Sequence, residues 1–268
     1  MSQKSLAARW KLTLGRVLLF CICCAVTLAV SSRLTKGISQ QWSQHLLVLI
    51  AVTVTIGLTV LFVRWEGLRL GDVGVIPGRQ SISRVGIGFI IGLLLASGHA
   101  ALVMLFGHVK LVRTPTMTFS YFISGFLLYL FIACREELAF RGYPLRSLNY
   151  VLGAWKAQAI IFVIFSFEHI AGGMNWVQAF LGPGVGAILF GIAAIKTKGI
   201  ALPIGLHMAW NFGQWSLGFK NEPGIWQSVI EKGYETQVEQ VGFVCYWLIM
   251  GLTIFAFYYY YRDKKIAE

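Results

Sequence analysis

Long apolar runs separated by short polar connections set the rhythm of this chain. Stretches 12–30, 45–63, 85–107, 119–145, 157–173, 176–195, 199–217 and 240–261 are each apolar enough to cross a bilayer as a helix. The fifth is short, and the fourth includes a charged cluster. The pattern predicts an all-α, polytopic membrane protein of about eight transmembrane helices. Residues 1–118 would supply about three N-terminal spans, 119–217 a helical core, and 218–268 an outer loop, a last span and a basic tail. There is no internal repeat and no low-complexity tract.

Composition agrees. Of 268 residues, 57% are hydrophobic and 13% charged, and the mean hydropathy is +0.69, more apolar surface than a soluble domain of this size can bury. The formal charge of +12 is scattered between apolar runs. Anionic lipid headgroups therefore suit it better than a nucleic acid. With the N-terminus in the cytosol, 17 of the 23 Lys and Arg fall on the cytosolic side and 6 on the other, which favours an even number of spans and two cytosolic termini in a bacterial-type plasma membrane. The first run reads as an uncleaved span, because its basic lead is long and the chain after it is itself membranous. Cys21, Cys23, Cys24, Cys134 and Cys245 lie in or beside apolar runs with no zinc-finger spacing, and read as small buried hydrophobes.

Ionisable groups inside spans are costly, so each is a functional candidate. The fourth span ends in ACREELAFRGYPL, with Glu136, Glu137 and Arg141; the fifth holds Glu168 and His169 in FSFEHI; the seventh holds His207 and Asn211 in GLHMAWNF. Counting from the cytosolic ends at 1.5 Å per residue gives depths of about 13 Å for Glu136, about 15 Å for His169, about 12 Å for His207 and about 18 Å for Asn211. One level in the cytosolic half of the bilayer can hold all four, provided the fourth helix continues past its charges. Glu137 and Arg141 are one turn apart and can pair, while Glu136 points about 100° away. His207 and Asn211 share a face, as do Phe165 and His169, with Phe165 walling the same small volume.

These segments resemble the EExxxR, FxxxH and HxxxN motifs of the CPBP family of intramembrane proteases. That family includes CAAX prenyl endopeptidases and bacterial bacteriocin-processing or self-immunity proteins. The resemblance covers about residues 120–217, and Glu168, an acid beside the motif histidine, departs from its pattern. It implies an endopeptidase acting near the cytosolic side, with Glu136 as general base and His169 holding and polarising the water. His207 and Asn211 would stabilise the oxyanion, supported by Glu137, Arg141 and Phe165. No cofactor is favoured, because Asn211 beside His207 suits an oxyanion better than a metal. The alternative is Zn²⁺ held by Glu136, His169 and His207. Partners would be membrane lipids and a protein or peptide with a membrane-proximal cleavage site, such as a prenylated tail or a leader peptide.

Blander readings stand beside these. His99 would be a helix–helix hydrogen-bonding residue, and His45 and His108 lie at span ends. Gly182, Gly184, Gly186 and Gly191 would allow close helix packing, with Pro183 breaking the helix where substrate enters. A proton-coupled transporter is the rival class, since buried Glu and His also build proton relays. A non-catalytic scaffold or immunity factor is the third.

Overall fold

The computed structural model describes residues 9–220 and 223–262. Lys4, Lys264 and Lys265 of the charge count, and Glu222 of the outer loop, lie outside them. Helix α1 (Trp10–Leu34), α2 (Gln40–Glu66) and α3 (Ser81–Phe106) precede strand β1 (Val109–Arg113) and α4 (Phe119–Glu137). A π-helical turn over Leu138–Gly142 joins α4 to α5 (Tyr143–Leu152). Then come α6 (Ala154–Ala171), α7 (Trp176–Leu181), α8 (Pro183–Thr197), α9 (Ala201–Ser216), β2 (Trp226–Ile230) and α10 (Glu235–Arg262).

The chain is an all-α polytopic membrane protein with one small addition. β1 and β2 pair antiparallel, Val109 opposite Ile230 and Arg113 opposite Trp226, a ribbon absent from the all-α expectation. Among the described residues, six helical stretches are long and apolar enough to cross a membrane: Trp10–Leu34, Trp42–Glu66, Ser81–Phe106, Ala154–Ala171, Trp176–Thr197 and Glu235–Tyr261. The expected eight included two more, the helices that hold Glu136 and the pair His207 and Asn211. α4 ends in Arg135, Glu136 and Glu137, and α9 has only 16 residues. Their polarity and shortness keep them out of the apolar set, and packing against neighbouring helices holds them instead.

Two ends of the bundle can be named from contacts. At the tail end, Tyr143 donates to Glu66 at 3.3 Å, Arg146 to the Asp72 carbonyl at 3.4 Å, and the Ile200 N–H to Gly74 O at 3.1 Å. At the loop end sit the β ribbon and the His108–Glu231 pair at 2.9 Å. α4 starts at the loop end, where Thr118 caps it by accepting from the Tyr121 N–H at 3.2 Å.

Local sequence explains the special joints. The fourth helix does run on past its charges, through the π-helical turn, a form that recurs at functional sites. The sixth span is broken at Gly182, where α7 ends, and Pro183 opens α8 because its missing N–H costs nothing in a first turn. α3 and α9 approach so closely that only glycine fits at the crossing. A Cβ on Gly205 would stand 2.2 Å from the Val85 carbonyl oxygen, and one on Gly88 2.4 Å from that of Leu202. The buried core under α5 is aromatic and aliphatic, with Phe20, Phe62 and Tyr143 in edge contact and Leu145 and Leu148 fully enclosed. The opposite surfaces of α1 to α3 expose many large apolar side chains, as lipid-facing helices must.

Candidate active site

Three helices bring the motif residues together. Glu136 ends α4, His169 is one turn from the end of α6, and His207 and Asn211 lie on consecutive turns of α9. All four line one chamber of about 410 Å³, together with Phe165 and Phe190. His207 Nε2 stands 3.7 Å from Glu136 Oε2. The level of His207 is marked on α3 by Gly92, which abuts Leu206 and Ala209. Gly92 is about eleven residues from the tail end of α3, or about 16 Å.

Each ring is held by its other nitrogen. His169 Nδ1 lies 2.9 Å from the Phe165 carbonyl. A carbonyl only accepts, so that nitrogen carries the proton and the lone pair is on Nε2. His207 Nδ1 donates in the same way to Glu137 Oε1 at 2.8 Å, and its ring stacks on Phe190 with centroids 4.7 Å apart. Glu137 is fully buried, and the same oxygen faces Arg141 Nη1 at 3.4 Å. Glu137 therefore does more than pair with Arg141, because it also fixes the tautomer and direction of His207. Arg141 is packed among rings, its guanidinium 4.5 Å from the Phe165 centroid and 5.5 Å from that of Phe190.

Two further residues join the site. Arg135 and Glu168 form a two-point ion pair, one arm at 3.0 Å, beside Glu136 and His169. This gives Glu168 a role its sequence context left open. Each lies one position before a motif residue, so helices that bring Glu136 and His169 to one depth bring their neighbours there too. The second is Lys220, just past α9, whose Nζ donates to Asn211 Oδ1 at 3.0 Å and lines the chamber. An ammonium only donates, which identifies the Asn211 oxygen and turns its NH₂ the other way. Lys220 is exposed on its outer side, yet burial of its head among chamber walls lowers its pKa, opposed by the charge of Glu136.

Glu136, His169, Ile132 and Met174 also line a second cavity of about 250 Å³, between α1, α2 and α6. Glu136 and His169 thus stand where two cavities meet. His99 bridges helices, its Nε2 3.0 Å from the Gly242 carbonyl and its Nδ1 3.2 Å from Gln214. His45 contacts Ser124 O at 3.0 Å and is not part of the chamber. Among the described residues, no three His, Cys, Asp or Glu side chains form a group that could hold a metal ion.

The motif geometry and the family comparison agree. Residues 118–213 match the family model described as type II CAAX prenyl endopeptidase Rce1-like. The match supports the likeness to the CPBP intramembrane proteases. The matched stretch runs from Thr118, the cap of α4, to Gly213 in α9, and so holds all four motif residues but not Lys220. No curated protein matches the chain by sequence. The matched family is one of membrane proteases, and nothing in it speaks for transport.

Proposed function

We propose that the protein is an intramembrane endopeptidase in which Glu136 and His169 activate a water and His207 and Asn211 receive the oxyanion. The carrying observation is the approach of His207 Nε2 to Glu136 Oε2 at 3.7 Å in a chamber that His169 and Asn211 also line. At that spacing both groups can address one water and one carbonyl group placed beside them in the chamber.

The water gives its proton to the Glu136 carboxylate while its other hydrogen points to the lone pair on His169 Nε2. Its oxygen bonds to the scissile carbon. Negative charge then develops on the carbonyl oxygen, which the Asn211 NH₂ and a proton on His207 Nε2 stabilise. The Glu137 carboxylate behind His207 Nδ1 balances the positive charge such a proton adds. As the C–N bond breaks, Glu136 returns the proton to the leaving nitrogen and is a carboxylate again. Lys220 holds the Asn211 amide in the donating orientation, and Arg141 with the rings of Phe165 and Phe190 keeps the floor rigid.

No step above passes through a metal. Chelation by EDTA or 1,10-phenanthroline is expected to leave the purified enzyme's activity unchanged, and loss of activity restored by Zn²⁺ would replace this mechanism with the zinc-dependent one. The substrate is a peptide segment close to the membrane, with prenylated tails and leader peptides as the two classes to try first. Trapping with Glu136→Gln, followed by mass spectrometry of the bound peptides, tests the function. Intact peptides enriched on the variant and cleaved by the wild type support it. A folded variant that still cleaves would remove Glu136 as base.

A further inference from the structure

We propose that substrate enters this site from the loop end, the face opposite the chain termini, and that this is the extracytoplasmic face of the membrane. The proposal rests on the reading of the chamber as a peptidase site and concerns the side from which its substrate is supplied. Depth along the helices had favoured cleavage in the cytosolic half of the bilayer. The walls of the site argue for supply from the other side, which a translocated leader peptide can reach and a cytosolic prenylated tail cannot.

The first observation is the direction in which the chamber extends. α4 runs from the loop end toward Glu136, and its other lining residues, Tyr129 and Ile132, come before Glu136. α9 runs toward the loop end, and its lining residues beyond His207 are Trp210, Asn211 and Gln214, followed by Phe219 and Lys220. On both helices the open volume lies on the loop side of the Glu136–His207 contact. The second cavity follows the same rule. It takes Leu28 from the loop-ward part of α1, Val48 from the loop-ward part of α2, and Gly172 and Met174 from the turn after α6.

The second observation is the floor. Toward the tail end, Phe140, Arg141, Phe165 and Phe190 are at most 5% exposed, and the guanidinium is gripped by the rings. Beneath them Tyr143, Leu145 and Leu148 show no exposed surface at all. Interiors packed like this contain no passage for a peptide. A substrate coming from the tail end would have to dismantle that core.

The third observation is what borders the mouth. Lys220 is exposed at the chamber rim, and Met174 is 40% exposed where the two cavities meet. A further cleft of about 550 Å³ lies at the loop end and shares Tyr129 with the chamber. Its walls include the hydroxyls of Thr114, Thr116, Thr118, Ser120 and Ser124. Hydroxyls both donate and accept, which suits the backbone of an extended peptide more than a lipid tail. Setting aside Arg135 and Arg141, which are buried in the site, the Lys and Arg count among the described residues stands at twelve on the tail face against six on the loop face. That imbalance puts the mouth outside the cytosol.

Sided cysteine labelling tests this without requiring cleavage. Asn211→Cys in the chamber and Met174→Cys at its mouth would be exposed to a permanently charged, membrane-impermeant methanethiosulfonate in right-side-out and inside-out vesicles. Arg79→Cys, in the loop between α2 and α3, reports the tail face, and Lys232→Cys the loop face; the wild-type chain gives the background. Both chamber probes are expected to react in right-side-out vesicles together with Lys232→Cys, and at least tenfold more slowly in inside-out vesicles. Reaction together with Arg79→Cys, or no reaction until detergent is added, would overturn the proposal. Reaction with Lys232→Cys but only in inside-out vesicles would overturn its extracytoplasmic part. Failure of the peptidase reading is seen separately, in Glu136→Gln trapping no substrate while the labelling pattern stands.

Discussion

The Arg135–Glu168 pair can be tested by a double-mutant cycle, because its geometry predicts a large and specific coupling. The Arg135 side chain is 4% exposed and that of Glu168 16%, and two nitrogens face two oxygens. Removing one partner of such a pair leaves a charge buried without compensation, which costs about 3–5 kcal/mol. Arg135→Met and Glu168→Leu are therefore each expected to destabilise the protein by about 3 kcal/mol, a fall in Tm of about 6–12 °C for a chain of this size. The double variant replaces the pair by apolar groups of similar volume and should return to within about 1 kcal/mol of the wild type. The coupling energy is then on the order of 5 kcal/mol, above the roughly 0.5–3 kcal/mol usual for contacting residues and far above the few tenths found for independent sites. Thermal unfolding of the four proteins in one detergent, followed by tryptophan fluorescence, measures it. Additive losses would refute the reasoning, because they would mean that the two charges do not rely on each other.

Four further outcomes are expected. Glu136→Gln should reduce cleavage by at least 10³-fold while leaving Tm within a few degrees, checked by peptide cleavage and thermal unfolding on the same preparation. Glu137→Gln should lose about 10–100-fold in kcat through misdirection of His207, as lost orienting partners do, and also lower Tm because Arg141 is left uncompensated. Lys220 should give an alkaline limb to the pH–rate profile. Its depressed pKa means that the ammonium is lost below the usual lysine range, releasing Asn211, so activity should fall as pH rises, before free lysine would titrate, and Lys220→Met should be slow at all pH without that limb. Gly205→Ala should lower stability by more than about 2 kcal/mol, since its Cβ would overlap a backbone carbonyl of α3, while Gly57→Ala, with open space around it, should be near neutral.

How much of this could be read in the chain depends on whether a feature is local or relational. The apolar runs of α1, α2, α3 and α10 are visible because lipid imposes one requirement over twenty or more consecutive residues. The spacing of Glu137 and Arg141, or of His207 and Asn211, is visible because an α-helix repeats every 3.6 residues. The partner of Glu168 was not visible, since nothing within α6 says that α4 presents Arg135 to it. Nor was Lys220, which lies past the last motif in a loop whose path toward Asn211 is a tertiary fact. The β ribbon is short and formed across more than a hundred residues, so neither strand has a local signature strong enough to stand out from a loop. The open side of the chamber was the hardest to read. Depth counts locate a residue along a helix, but closure of one end depends on where Phe165, Phe190 and Arg141 meet.

The ionised groups in this site are sorted by pairing, and the sorting singles out one carboxylate. Arg135 is matched by Glu168, and Arg141 by Glu137, which also holds His207. Among the described residues no arginine stands at ion-pair distance from Glu136. It faces the imidazole of His207 at 3.7 Å and the open chamber. A carboxylate locked by a guanidinium is a poor base, because taking up a proton would break the pair. One facing a neutral or protonated ring and a water can change protonation without dismantling its surroundings. The two matched pairs therefore do more than make charge tolerable within the bundle. They absorb the arginines that would otherwise neutralise Glu136, and so leave it without a guanidinium partner, which is what the proposed role of a base requires.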